Sequence, residues 1–138
     1  LRELGTTEIF YKVRQKPGKP LFFGKNGDTL IFALPGNPAS ALTCYYEYVT
    51  MALQRISGRS DYEIPSLMLP FRGEYRRKGN RPEFLKAKRT EYGVRLLGGQ
   101  SSAMLHTFAL ADALVYIPLN SPVLRNGDLV EVHLVNQM

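Results

Sequence analysis

Apolar and polar positions change rhythm several times along the chain. "IFYKVRQK" (Ile9 to Lys16) predicts a strand, closed by "PGKP", where two prolines cannot serve a central strand. "LFFGK" and "DTLIFAL" flank Asn26-Gly27 and predict a hairpin whose two turn residues both take positive φ. Its second arm runs into "ALPGNPASAL", after which Leu42, Tyr45/Tyr46, Val49, Ala52/Leu53 and Ile56 recur at three- and four-residue steps. That spacing predicts an amphipathic helix with Asn37 as N-cap, Pro38 at the first helical position and Gly58 past the end. Strand, tight turn and helix form an α/β signature.

The pattern changes at the polar stretch Ser57 to Pro65, which places a boundary between residues 1–58 and residues 59–138. Beyond it, "SLMLPFRGEYRR", "PEFLKAKR", "GVRLLG", "ALVYIPL" and "DLVEVHLV" have strand character and are separated by Gly, Asn and Pro. They predict a small antiparallel sheet or barrel, with "SAMLHTFALA" as one or two helical turns at its side. The expected fold class is α/β plus β.

A chain of 138 residues with 44% apolar side chains can bury a real core. Its formal charge of +6 favours an anionic partner. The charge is clustered: Lys12, Arg14, Lys16, Lys19 and Lys25 follow one another without an acid, and nine basic residues lie between Arg72 and Arg95. Cys44 is the only cysteine, which excludes an intrachain disulfide, fits a reducing cytoplasm and suits a small buried apolar group. "LRELGTTEIF" has neither an initiator Met nor the order of a signal peptide, so the expectation is a soluble piece of a longer protein. No apolar run reaches membrane-spanning length.

On a strand from Ile9 to Lys16, Lys12, Arg14 and Lys16 would share one face, where like charges repel unless water or an anion screens them. A solvated face and a ligand site both fit that spacing. In "PEFLKAKR", Lys86 and Lys88 fall on the side of Phe84, opposite Glu83, Leu85 and Ala87. A nucleic-acid surface would use such a mixture, but no glycine-aromatic RNA-binding motif, zinc finger or helix-turn-helix accompanies it, so no nucleic-acid partner is expected. His106 and His133 stand alone in sequence, without ligands at metal spacing, and read as packing or surface residues. "GGQSS" (Gly98 to Ser102) offers amides and hydroxyls to an oxyanion and equally suits a plain connecting loop. "LPGNP" stiffens a strand-to-helix corner, the kind of junction where helix-end amides meet anions. Gly36 would allow close approach there, while Pro35 and Pro38 fix φ.

"KVRQKPGKPLFFGK" followed by "LIFALPGNPASAL" closely resembles the MoeA/gephyrin E-domain family of molybdopterin molybdotransferases, and "RPEFLKAKR" and "GGQSSAML" are similar to that family's C-terminal domain. The resemblance implies insertion of molybdate into adenylylated molybdopterin with release of AMP, by a cytoplasmic, magnesium-dependent homodimer. Residues 1–58 would then be the C-terminal part of a MogA-like α/β domain, and residues 59–138 a small β-barrel-like domain. Lys12 and Lys16 would be the two family lysines near the bound anion, and Pro35 and Pro38, with Gly36 and Asn37 between them, would line the molybdate region. Ser102 would face the cleft, and Lys86 stands where relatives usually carry Arg. The magnesium ligands would lie upstream of the matched region, so no metal ligand is assigned to this chain and the fragment is expected to be inactive alone. A non-catalytic dimeric scaffold that binds partner peptides is the alternative the same resemblance implies.

Overall fold

After one 3-10 turn (Arg2–Leu4), strands β1 (Thr7–Tyr11), β2 (Phe22–Asn26) and β3 (Thr29–Ala33) form an antiparallel sheet in that order. The coordinates are those of a computed structural model in which residues 1–135 are described; the last three positions of the 59–138 unit lie outside them. β1 is shorter than expected. Lys12 takes a φ of 70° and turns the chain out of the ladder, a conformation that costs a residue with a Cβ about 1 kcal/mol or more. The loop then closes on itself, with Lys12 N donating to Leu21 O and Val13 N to Lys19 O, both at 2.9 Å. Lys12, Arg14 and Lys16 therefore do not share a strand face.

The hairpin exists but its turn is shifted by one residue. Asn26 pairs with Thr29, so the turn is Gly27-Asp28, and of the two only Gly27 has positive φ. Asn26 is held in the ladder, and its amide donates to Leu4 O at 2.9 Å.

The helix begins at Pro38 as expected and runs on as α1 (Pro38–Cys44), a π-helical segment (Tyr45–Val49) and α2 (Thr50–Ile56). Gly58, with φ 85°, follows its end. Its buried face differs from the expected apolar stripe: Ala39, Ser40, Thr43, Cys44, Glu47 and Thr50 are buried, whereas Leu53 and Ile56 are 48% and 69% exposed. The buried hydroxyls stay satisfied by bonding back one turn, Thr43 to Ala39 O at 2.9 Å and Thr50 to Tyr46 O at 2.7 Å. Cys44 faces Gly18 O at 3.6 Å, and its thiol is pushed up to about 12 by burial and then by the charge of Glu47. The expectation of a small buried group holds.

Five further strands, β4 (Ser66–Pro70), β6 (Glu83–Thr90), β7 (Gly93–Leu96), β8 (Ala113–Ile117) and β10 (Leu129–Leu134), form an antiparallel sheet in the order β4-β10-β8-β6-β7. The sheet curls until its two edges meet, where Phe71 bridges Val94 and Arg72 N donates to Val94 O at 2.8 Å. Alternate residues fill the interior: Leu85 and Ala87 from β6, Val115 and Ile117 from β8, Val130 and Val132 from β10. Each fully buried Val or Ile there contributes about 1.5–3 kcal/mol. A two-stranded ribbon of β5 (Tyr75–Arg76) and β9 (Val123–Leu124) adds Leu124 and Tyr75 to this core. The described fold is thus mostly β, with few helices.

The opposite face of the curled sheet carries a second core. Leu114 and Phe84 meet Ala39, Leu42 and Tyr46 of the helix and Phe108 of α3 (His106–Leu110). Next to it, Glu47 enters from the π-helical segment and both its oxygens reach His133 Nδ1, at 2.8 and 2.9 Å. His133 Nε2 meets Glu131 at 2.9 Å, and Tyr116 stacks on the imidazole with 6.1 Å between centroids. His133 therefore does not stand alone: it is clamped between two carboxylates. Burial by itself lowers the histidine's pKa, but the bonds and charges of Glu47 and then Glu131 outweigh it and hold the group above its ordinary 6.5. His106 is exposed.

Candidate functional site

A cleft of about 610 Å³ opens where the Lys16–Pro20 loop, the helix start and the curled sheet meet. Four cationic residues line it, Lys16, Lys19, Lys78 and Arg81, against a single carboxylate, Glu83. The loop is fixed to β6 through the backbone: Lys16 N donates to Pro82 O and Phe84 N to Lys16 O, both at 2.9 Å. Two guanidiniums bind across the junction, Arg81 to Gln15 O at 3.1 Å and Arg14 to Asn80 O at 3.0 Å. Gln15, 3% exposed, accepts from the Tyr48 hydroxyl and donates to Pro17 O at 2.9 Å. Lys16 is thus placed by a segment about 66 positions further along the chain.

Glu83 is 1% exposed, and one of its oxygens lies 3.8 Å from Lys16 Nζ while the other accepts from the Tyr75 hydroxyl. Burial, and then the bond to Glu83, push the Tyr75 pKa above its ordinary 10.0. Tyr75 therefore stays a neutral donor, and the cleft keeps an excess of positive charge that attracts anions.

The structure sorts the expected site residues. Lys16, Asn37 and Ser102 line the cleft. Asn37 stands at the N-cap position, but its side chain does not cap the helix; the amide instead donates to Ser102 Oγ at 3.1 Å. Lys12, Pro35, Gly36, Pro38 and Lys86 do not line the cleft. Lys12 Nζ sits 5.3 Å from the centroid of the Tyr11 ring. Pro35 is buried, Pro38 opens the helix, and open space surrounds the point where a Gly36 side chain would stand, so no protein backbone crowds that glycine. Lys86 is 4% exposed, and its ammonium donates to Ser101 O and Met104 O.

Of the nine basic residues between Arg72 and Arg95, only Lys78 and Arg81 reach the cleft. Lys88 and Arg89 pair with Asp112, and Arg77 binds the carbonyls of Pro118 and Leu119. The basic cluster signalled the region but not its members. Glu83 and Tyr75 left no functional signal, because alternation along β6 placed Glu83 with core residues.

Fold and cleft together define a mostly β chain whose cationic pocket is bounded by a helix start and a curled sheet. Residues 69–135 match the family model described as MoeA C-terminal region (domain IV). A molybdopterin biosynthesis MoeA protein from Pyrococcus horikosii superposes with a TM-score of 0.82 at 28% identity, over 99% of this chain and 34% of that one. Molybdopterin molybdenumtransferase 1 of Mycobacterium tuberculosis is 32% identical over 99% of this chain and 34% of its own length. Gephyrin of Dictyostelium discoideum is 27% identical over 98% of this chain and 23% of its own length. The chain belongs to the MoeA/gephyrin family and matches its C-terminal portion. It spans about a quarter to a third of the length of these relatives.

Proposed function

We propose that this chain supplies part of the anion site of a molybdopterin molybdotransferase, which inserts molybdate into adenylylated molybdopterin and releases AMP. The observation that carries this reading is the cleft in which Lys16, Lys19, Lys78 and Arg81 face the Asn37–Ser102 corner. Molybdate is a dianion and the adenylylated substrate carries a pyrophosphate. Lys16 and its neighbours hold both, and fixed ammonium and guanidinium groups stabilise the charge that gathers on oxygen as the phosphoanhydride breaks. Ser102 and Asn37 orient the oxyanion through hydrogen bonds. Residues 1–58 are read as the C-terminal part of a MogA-like α/β domain, residues 59–138 as a small β-barrel-like domain, and the working enzyme as a cytoplasmic homodimer.

Magnesium does not fit the residues present. Among the described residues no group of three or more His, Cys, Asp or Glu is placed to hold a metal. Glu83 is engaged by Lys16 and Tyr75, and both ring nitrogens of His133 face carboxylates. The reading assigns no magnesium ligand to residues 1–135 and routes no step through the ion. Among the described residues no helix is long and apolar enough to cross a membrane, a criterion that does not address strands.

Lys16→Ala in the full chain is expected to weaken molybdate binding by about tenfold to a hundredfold, the worth of one charge-assisted contact. Isothermal titration reads the affinity, and circular dichroism confirms that the fold is kept. Undiminished molybdate affinity in a folded Lys16→Ala variant would reject the site, and a chain that binds peptides but no oxyanion would favour the scaffold.

A further inference from the structure

We propose that Lys86 is a positioning residue whose buried ammonium fixes the 98–104 loop and so sets Ser102 against Asn37, without touching the anion itself. The proposal deepens the anion-site reading in its functional consequence, while the loop anchoring stands apart from it. Lys86 projects from the same face of β6 as Phe84, opposite the core residues Leu85 and Ala87. There its ammonium donates to Ser101 O at 3.2 Å and Met104 O at 3.1 Å and lies 5.9 Å from the centroid of the Phe108 ring.

The backbone of Lys86 holds the same loop a second time. Its N–H donates to Gln100 Oε1 at 2.9 Å, and Gln100 Nε2 donates back to Lys86 O at 2.7 Å. Leu97 N also donates to Lys86 O, at 3.0 Å, so the chain leaving β7 is tied to β6 immediately. On its far side the loop meets the helix: Ala39 N donates to Ser102 O, and Asn37 Nδ2 to Ser102 Oγ, both at 3.1 Å. Ser102 thus stands between two anchors, one of which is Lys86.

The residue type agrees with this role. A compact ammonium with three donors suits two converging carbonyls, whereas a planar guanidinium suits the two oxygens of a carboxylate or phosphate. Burial lowers the Lys86 pKa, and no carboxylate pairs with it among the described residues. Its partners are the two loop carbonyls and the face of Phe108, all internal to the protein.

The test compares wild type, Lys86→Met, Ser102→Ala and the double variant of the full chain, by hydrogen–deuterium exchange over residues 98–105 and by titration with molybdate. Lys86→Met is expected to raise amide exchange at 101–104 by roughly tenfold or more, because the loop loses its tether. Its loss of molybdate affinity should overlap that of Ser102→Ala, leaving the double variant no worse than the poorer single one, as for residues acting through one another. Unchanged exchange, or losses that add in full as for an independent anion ligand, overturns the proposal. If Lys86→Met fails to fold, Lys86→Arg keeps the charge but not the compact donor, and protected amides with full affinity in that variant count against the role. Should the wild type bind no molybdate, the anion-site reading fails and the exchange data still decide whether Lys86 anchors the loop.

Discussion

Glu47→Ala is expected to destabilise the protein by about 3 kcal/mol near pH 6 and by clearly less near pH 9. Glu47 is 4% exposed, and its carboxylate is spent on His133 Nδ1, so its removal leaves a buried imidazolium short of its main partner. The loss falls at the lower end for broken buried pairs because Glu131, which is about half exposed, remains, and because His133 can release its proton. The sign of the pH dependence follows from the raised histidine pKa. A group bound more tightly by its proton in the folded state contributes fully below its unfolded value of about 6.5, and that contribution is lost as pH rises through the folded value. Urea unfolding of wild type and variant at the two pH values measures the difference. Equal losses at both would show that Glu47 acts by packing alone.

Gly93→Ala is expected to cost about 3 kcal/mol or more, by overpacking and backbone strain together. Gly93 begins β7 with a φ of 140°, which a residue with a Cβ seldom adopts. A Cβ there would lie 2.0 Å from Pro70 O, at the seam where the curled sheet brings β7 against β4. The neighbour is backbone and has no rotamer to change, so one edge must move and the Phe71–Val94 bridge opens. Equilibrium denaturation reads the loss, and a change below about 0.5 kcal/mol, the scale of an unremarkable surface substitution, would mean that the seam does not hold the sheet.

Local chemistry made much of this legible. Pro38 and Gly58 marked the helix ends because backbone φ preferences act residue by residue, and the strand character of "ALVYIPL" and "DLVEVHLV" matches β8 and β10. The helix face was not legible. Its buried side carries Ser40, Thr43, Glu47 and Thr50, residues that look solvated until the partners of Cys44 and Glu47, Gly18 and His133, are known. β1 ended early because Lys12 is committed to Leu21 O, a contact no alternation reveals.

The cleft shows the same division. Lys16, Asn37 and Ser102 each sit in a short motif, but no motif shows that Asn37 bonds to Ser102. Lys78 and Arg81 were visible only as members of a basic cluster, since the segment that places them meets the Lys16 loop through Pro82 and Arg81. The resemblance puts Lys86 at a site position, and strand alternation gives its face but not its depth. Only its two carbonyl partners show that the charge points inward.

The central claim is that a small oxyanion occupies the cleft bounded by Lys16 and the Asn37–Ser102 corner. Crystals of the full chain soaked in molybdate, with diffraction recorded at the molybdenum absorption edge, test it most directly. The account predicts the strongest anomalous peak inside that cleft, within ion-pair reach of Lys16 Nζ. A peak found only at outlying lysines such as Lys12, with the cleft empty, would contradict it.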